Sequence, residues 1–133
     1  MTFAEIKNQV MFQTGNDADD LVDYLPHVDD YANEGYVRLA KAWAGSDYTE
    51  QDYPRLQYDE EIPSLPDWTH RALADYATWL VYRNGNPQRQ QRGLYFRQAF
   101  EDVLKQIYEE GGKNGLNEDG TRKKYNHFIN IPR

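Results

Sequence analysis

The chain has no cysteine, which excludes a disulfide framework and any thiolate-held metal. Serine is almost missing too: Ser46 and Ser64 are the only ones, and neither sits in a Gly-x-Ser-x-Gly setting, so nucleophilic serine catalysis has no foothold. No apolar run approaches the roughly 20 residues that span a bilayer. The opening MTFAEIKNQV has neither the basic nor the apolar segment of a secretory leader, so the expectation is a protein made in the cytoplasm and not held in a membrane. A phosphate-cradling loop is missing as well, because Gly111-Gly112 with Gly115 lacks the Lys-Ser/Thr that must follow. His27, His70 and His127 stand in three separate segments with no second ligand at helical spacing; surface or capping roles are expected for them. The adjacent carboxylates Glu60-Glu61 and Glu109-Glu110 read as solvated charges at element ends, since catalytic carboxylates need burial to shift their pKa. No catalytic residue, metal or cofactor is expected, and the chain does not read as an enzyme.

What is present is helical periodicity. The stretch from Leu65 to Gly112 contains two apolar stripes at three- and four-residue steps. Trp68, Ala72, Leu73, Tyr76, Ala77 and Leu80, with Trp79, form the first, behind a Leu65-Pro66-Asp67 start in which Asp67 is expected to cap. Asn84-Gly85 stops it, and Asn86-Pro87 restarts at once as cap and first helical residue. The second stripe runs Tyr95/Phe96, Ala99/Phe100, Val103/Leu104, Ile107/Tyr108, and Gly111-Gly112 closes it. So short a connection predicts an antiparallel αα-hairpin. Two further helices are predicted upstream. Thr2-Phe3-Ala4-Glu5 is a capping box that opens a helix with Phe3, Ile6 and Val10 on one face, ending near Thr14-Gly15-Asn16. Pro26 opens another, with Val28, Tyr31/Ala32, Gly35/Tyr36, Leu39/Ala40 and Trp43; Gly35 inside it implies another helix passing close by. The expected fold is all-α: a small helical bundle built on the long hairpin, with a domain over 1–112, an irregular loop from Asp47 to Leu65, and an extended C-terminal arm over 113–133.

The acids Asp17, Asp19, Asp20 and Asp23 invite a calcium loop, but Val22 and Val28 occupy the sixth and twelfth positions that need Gly and Glu. A solvated acidic helix start is expected instead. Net charge is −7, which argues against free nucleic acid as the main partner. Residues 1–66 carry −10 and residues 67–133 carry +3, a polarity suited to head-to-tail association. Three groups are interface candidates: Tyr48, Tyr53 and Tyr58 on the irregular loop; Arg89, Arg92 and Arg97, which with Arg83 make one side of the hairpin basic; and Tyr125, Phe128, Ile129 and Ile131 in the arm. Aromatic residues and Arg are enriched at protein interfaces. Apolar residues in a terminal segment point to docking, on the chain's own domain or on a neighbour, with a neighbour favoured.

Assembled in this order, the chain resembles the head–tail connector (adaptor) proteins of tailed bacteriophages. The likeness lies in the opening Thr2-Phe3-Ala4-Glu5-Ile6 and in DDYANEGYVRLAKAW with its Asn33-x-Gly35-x-x-x-Leu39 core. It continues in the Leu65-Pro66, Ala72-Leu73, Tyr76 and long-helix arrangement, and covers roughly residues 2–110. The resemblance implies a structural subunit of a ring, dodecameric in the assembled particle, located at the head–tail junction of the virion after assembly in the host cytoplasm. Its implied partners are the portal protein and tail or stopper proteins, with DNA passing through the channel without specific binding. The family has no active site to carry over. From the residues alone, a small helical regulatory protein binding a single bacterial protein partner remains the alternative.

Overall fold

The computed structural model describes residues 1–17, 19 and 21–115. Asp20 and the expected arm from residue 116 onward, with Tyr125, Phe128, Ile129 and Ile131, lie outside the described residues. Four α-helices pack together: α1 (Phe3–Gln13), α2 (Val28–Ala44), α3 (His70–Arg83) and α4 (Pro87–Glu109). Single 3₁₀ turns punctuate the connections, and no strand occurs among the described residues. Among the described residues no helix is long and apolar enough to cross a membrane.

The expected hairpin is α3–α4. Asn86 caps α4 by accepting from the Arg89 backbone N–H at 3.0 Å, and Pro87 takes the first helical position, where its missing N–H costs nothing. The Thr2/Glu5 capping box is formed in both directions, at 3.2 and 2.9 Å. Helix α3 is the centre of the molecule and packs on the other three. Residues 72–78 are consequently buried on every side, not along one stripe. The close approach implied by Gly35 is against α3: a Cβ there would lie 3.0 Å from the Tyr76 side chain. Gly93 serves the hairpin in the same way, 2.8 Å from Tyr82 Cβ.

Three details differ from the sequence expectation. Asp67 does not cap α3; it opens a 3₁₀ turn over Asp67–Thr69, α3 begins at His70, and no side chain caps it. Trp68 is carried outward by that turn and is 42% exposed. On α4, Tyr95 and Tyr108 also face solvent, because only the stripe through Gly93, Phe96, Phe100, Val103/Leu104 and Ile107 meets the bundle.

The irregular loop is real, running from residue 48 to 66 without helix, and it is pinned at two places. It caps α1, whose Phe3 and Ala4 N–H groups donate to the carbonyls of Glu61 (2.7 Å) and Asp59 (3.0 Å). It is also held to α2 by buried Asn33. Asn33 Nδ2 donates to the Leu56 carbonyl at 3.0 Å, and its Oδ1 accepts from the Leu56 N–H at 2.7 Å, so one amide side chain stands in for a strand partner. Replacing Asn33 by Ala leaves both Leu56 groups unpaired and is expected to cost about 2 kcal/mol in urea unfolding, with faster amide exchange across 54–58.

His70, expected at the surface or as a cap, is fully buried. Its Nε2 lies 2.8 Å from the Leu65 carbonyl and its Nδ1 2.7 Å from the Met1 ammonium. An ammonium can only donate, so Nδ1 is the acceptor, Nε2 carries the proton, and the ring is neutral. The exposed Asp67 carboxylate, 4.0 Å away, is too distant and solvated to offset this. Burial first, and then the adjacent ammonium, depress the His70 pKa below 6.5, against the Leu65 carbonyl, which favours the charged ring. The unfolded chain therefore binds the extra proton first. This contribution to stability is complete above pH 6.5 and is lost as pH falls from there towards the folded pKa. The urea midpoint is expected to fall between pH 7.5 and pH 5.5, with a shallower fall in His70→Gln.

Candidate functional site

Two concave surfaces stand out, in opposite electrostatic surroundings. The first is a hollow of about 520 Å³ between the end of α1 and the first half of α4, lined by Gln13, Asp17, Tyr82, Arg92, Tyr95 and Phe96. An aromatic ladder forms its wall. Tyr82, rooted in the core, stacks on Phe96 with centroids 6.1 Å apart, and Phe96 meets the 73% exposed Tyr95 edge-on at 5.2 Å. Its floor is Asp17, which is not a solvated helix-start acid: it ends the 3₁₀ turn Gly15–Asp17 that follows α1, and its carboxylate is buried. It accepts from Tyr82 Oη at 2.7 Å, Arg92 Nη1 at 2.6 Å and Arg89 Nε at 3.4 Å. The Tyr82 hydroxyl and then the two guanidiniums hold the Asp17 pKa below its ordinary value, against the effect of burial. Burial and the facing carboxylate push Tyr82 up to about 12.

Beside the hollow, Gln13 links α1 to α3: Thr78 Oγ1 donates to Gln13 Oε1 at 2.6 Å, and Gln13 Nε2 donates to the buried Asp75 Oδ1 at 2.9 Å. Burial raises the Asp75 pKa, against the hydrogen bond from Gln13. With one charged partner in range, this is a structural polar link.

The second surface is a groove of about 470 Å³ between α2 and the irregular loop. Tyr48 and Tyr53 stack at 5.7 Å, and Tyr53 meets Tyr36 edge-on at 6.4 Å. Glu34, Lys41, Glu50 and Arg55 edge it, with Arg55 paired to Asp30. Burial raises the Tyr53 pKa. Residues 47–61 contain six acids and one base; of the acids Glu50 lines the groove, while Asp47 pairs with Lys113, Asp59 with Lys7, and Glu61 accepts from the Gln57 and Tyr58 N–H groups.

The structure thus sorts the sequence candidates. Tyr48 and Tyr53 come together and are half-buried; Tyr58 stands apart and exposed. Arg89 and Arg92 are engaged within the chain by Asp17, so the basic side of the hairpin is partly spent on folding. Arg97 and Arg83 sit against the Trp79 ring at 5.2 and 5.7 Å, another internal use of charge. Sequence reasoning missed Tyr95 as an exposed aromatic, since it occupies an apolar position of the helical pattern. It also missed Asn33, whose signal was a hydrogen-bonding amide beside an apolar stripe. Among the described residues no group of three or more acidic or histidine side chains is placed to hold a metal ion. No family model, no curated protein and no solved structure matches the chain.

Proposed function

We propose that this chain is a structural assembly subunit, a phage head–tail connector that forms a ring beneath the portal, extends the DNA channel and docks tail or stopper proteins. One observation carries the reading: two different aromatic concavities on one small bundle, one beside Arg89 and Arg92 where they share the single Asp17 carboxylate, the other edged by three acids and two bases. A self-complementary dimer uses the same patch twice, whereas a ring needs two distinct patches that fit each other. Opposite charge gives the two patches a preferred pairing and suppresses like-with-like contact. The all-α bundle and the sequence resemblance to connector proteins agree with this use. The assembled ring belongs at the head–tail junction of the virion.

The test is a pair of surface variants. Tyr95→Glu and Tyr108→Glu replace side chains 73% and 65% exposed, so folding is expected to change by no more than about 0.5 kcal/mol. Tyr95 lines the hollow and Tyr108 does not, so Tyr95→Glu is expected to abolish incorporation into portal-bound particles while Tyr108→Glu retains more of it. Full incorporation of Tyr95→Glu would remove the hollow from the assembly interface.

A further inference from the structure

The last described residues reach back towards the groove through one side chain. After α4 the backbone turns back through Gly111 and Gly112, both at positive φ, into a 3₁₀ turn over Gly112–Gly115 that packs on the end of α2. Gly112 is pressed so closely on α2 that a Cβ would strike the Trp43 carbonyl oxygen. Lys113 Nζ then pairs with Asp47 at 3.5 Å, one residue from Tyr48 in the groove. Lys113, two residues before the last described one, thus reaches the loop that forms one side of the groove.

The chemistry of the residues that follow matches the groove. Residues 121–133, TRKKYNHFINIPR, contain four bases, no acid, and Tyr125, Phe128, Ile129 and Ile131. The groove is edged by Asp30, Glu34 and Glu50 against Lys41 and Arg55, and its floor is a cluster of tyrosines. Residues 116–121 separate Gly115 from Arg122, enough to reach about 20–25 Å when extended. A short tether also keeps the effective concentration of the segment at the groove high, in the millimolar range. We infer that the groove between α2 and the 48–66 loop is the docking site for the chain's own C-terminal segment, with Arg122, Lys123 and Lys124 at the edge formed by Glu34 and Glu50 and the apolar side chains on Tyr48 and Tyr53. This stands on the groove, the exit point and the charge match, and holds whether or not rings form. In a ring built through the groove, the tail is what a neighbour has to displace.

The absence of cysteine makes the test clean. A nitroxide is attached at Gln51→Cys, an exposed loop position next to Glu50, in the full isotope-labelled chain diluted into unlabelled chain. Docking in cis is expected to broaden the amide signals of residues 122–131 and to give residues 125–131 heteronuclear NOE values close to those of the helices. Both effects are expected to vanish in Arg122→Glu/Lys123→Glu/Lys124→Glu, with the helix signals unchanged. Values typical of a freely moving chain at 125–131 would overturn the inference. So would ordered values without broadening, which place the segment elsewhere, and broadening only when label and isotope are on different molecules, which assigns the groove to a second copy. Persistence of both effects in the charge-reversed variant would also overturn it.

Discussion

Asp17→Ala is expected to destabilise the protein by about 2–3 kcal/mol, measured as a fall in urea midpoint at unchanged slope. The carboxylate accepts from Tyr82, Arg89 and Arg92, and those donors come from residues 65 to 75 positions away, on α3 and α4. Removing one partner of a buried charged cluster commonly costs more, about 3–5 kcal/mol. The Arg92 side chain is 55% exposed, however, and water can recover much of its charge. The Tyr82 hydroxyl, on a buried side chain that supports Phe96, is left with only the Gln13 carbonyl at 3.5 Å. The loss should therefore extend to the hollow, with Tyr95 and Phe96 signals moving more than those of α2. Because the Asp17 pKa is depressed below 3.8, its stabilisation is complete above that pH and fades as acid protonates it in the folded state. The difference between wild type and Asp17→Ala should shrink in that acid range. A cost under about 0.5 kcal/mol at neutral pH, the scale of an ordinary surface substitution, would mean that the donors find equivalent partners without Asp17.

Phe100→Ala is expected to cost more, about 3–5 kcal/mol. Phe100 is fully buried on α4 with its ring 4.6 Å from Tyr76 of α3. The Arg38 guanidinium from α2 lies over both rings, at 5.3 Å from Phe100 and 5.6 Å from Tyr76. Three helices therefore meet on this side chain. Gly35 already brings α2 against Tyr76 with no space to spare, which limits how far the helices can close over the cavity. Limited collapse is what places a truncation in the upper part of the observed range. The measurement is urea unfolding, with Leu94→Ala, a partly exposed residue on the same helix, as the comparison. A cost for Phe100→Ala below about 1 kcal/mol would show that the site repacks freely.

Helices α1, α2 and α4 were legible because each buries a stripe at a period near 3.6, and α3, buried on every side over 72–78, because apolar residues recur along it up to the Asn84-Gly85 stop. Thr2/Glu5, Asn86-Pro87 and Gly35 were read with their reasons, since each is a local backbone requirement. What periodicity does not carry is the partner a polar residue will find across the fold. Asp17 looked like one of several acids before a helix, and its role depends on a tyrosine and two arginines on the hairpin. His70 looked like a surface or capping residue because its partners, the Met1 amine and the Leu65 carbonyl, come from the far end of the chain and from the loop. The apolar pattern of α4 also gave no sign that Tyr95 and Tyr108 would be left outside, because the width of a buried stripe is set by how many neighbours a helix has. The candidate surfaces were legible in part. The tyrosines of the 48–66 loop were singled out, but that two of them pair over α2 follows from Asn33 holding Leu56 in place.

The most direct measurement is co-expression of the full chain with the portal protein encoded in the same genome, with the product weighed by native mass spectrometry and imaged by electron microscopy. A connector subunit adds a closed ring of density to the narrow end of the portal, at a fixed number of copies per particle. A chain that leaves the portal bare and stays monomeric, while binding one different protein in stoichiometric amount, would contradict the connector reading and establish a single-partner helical adaptor.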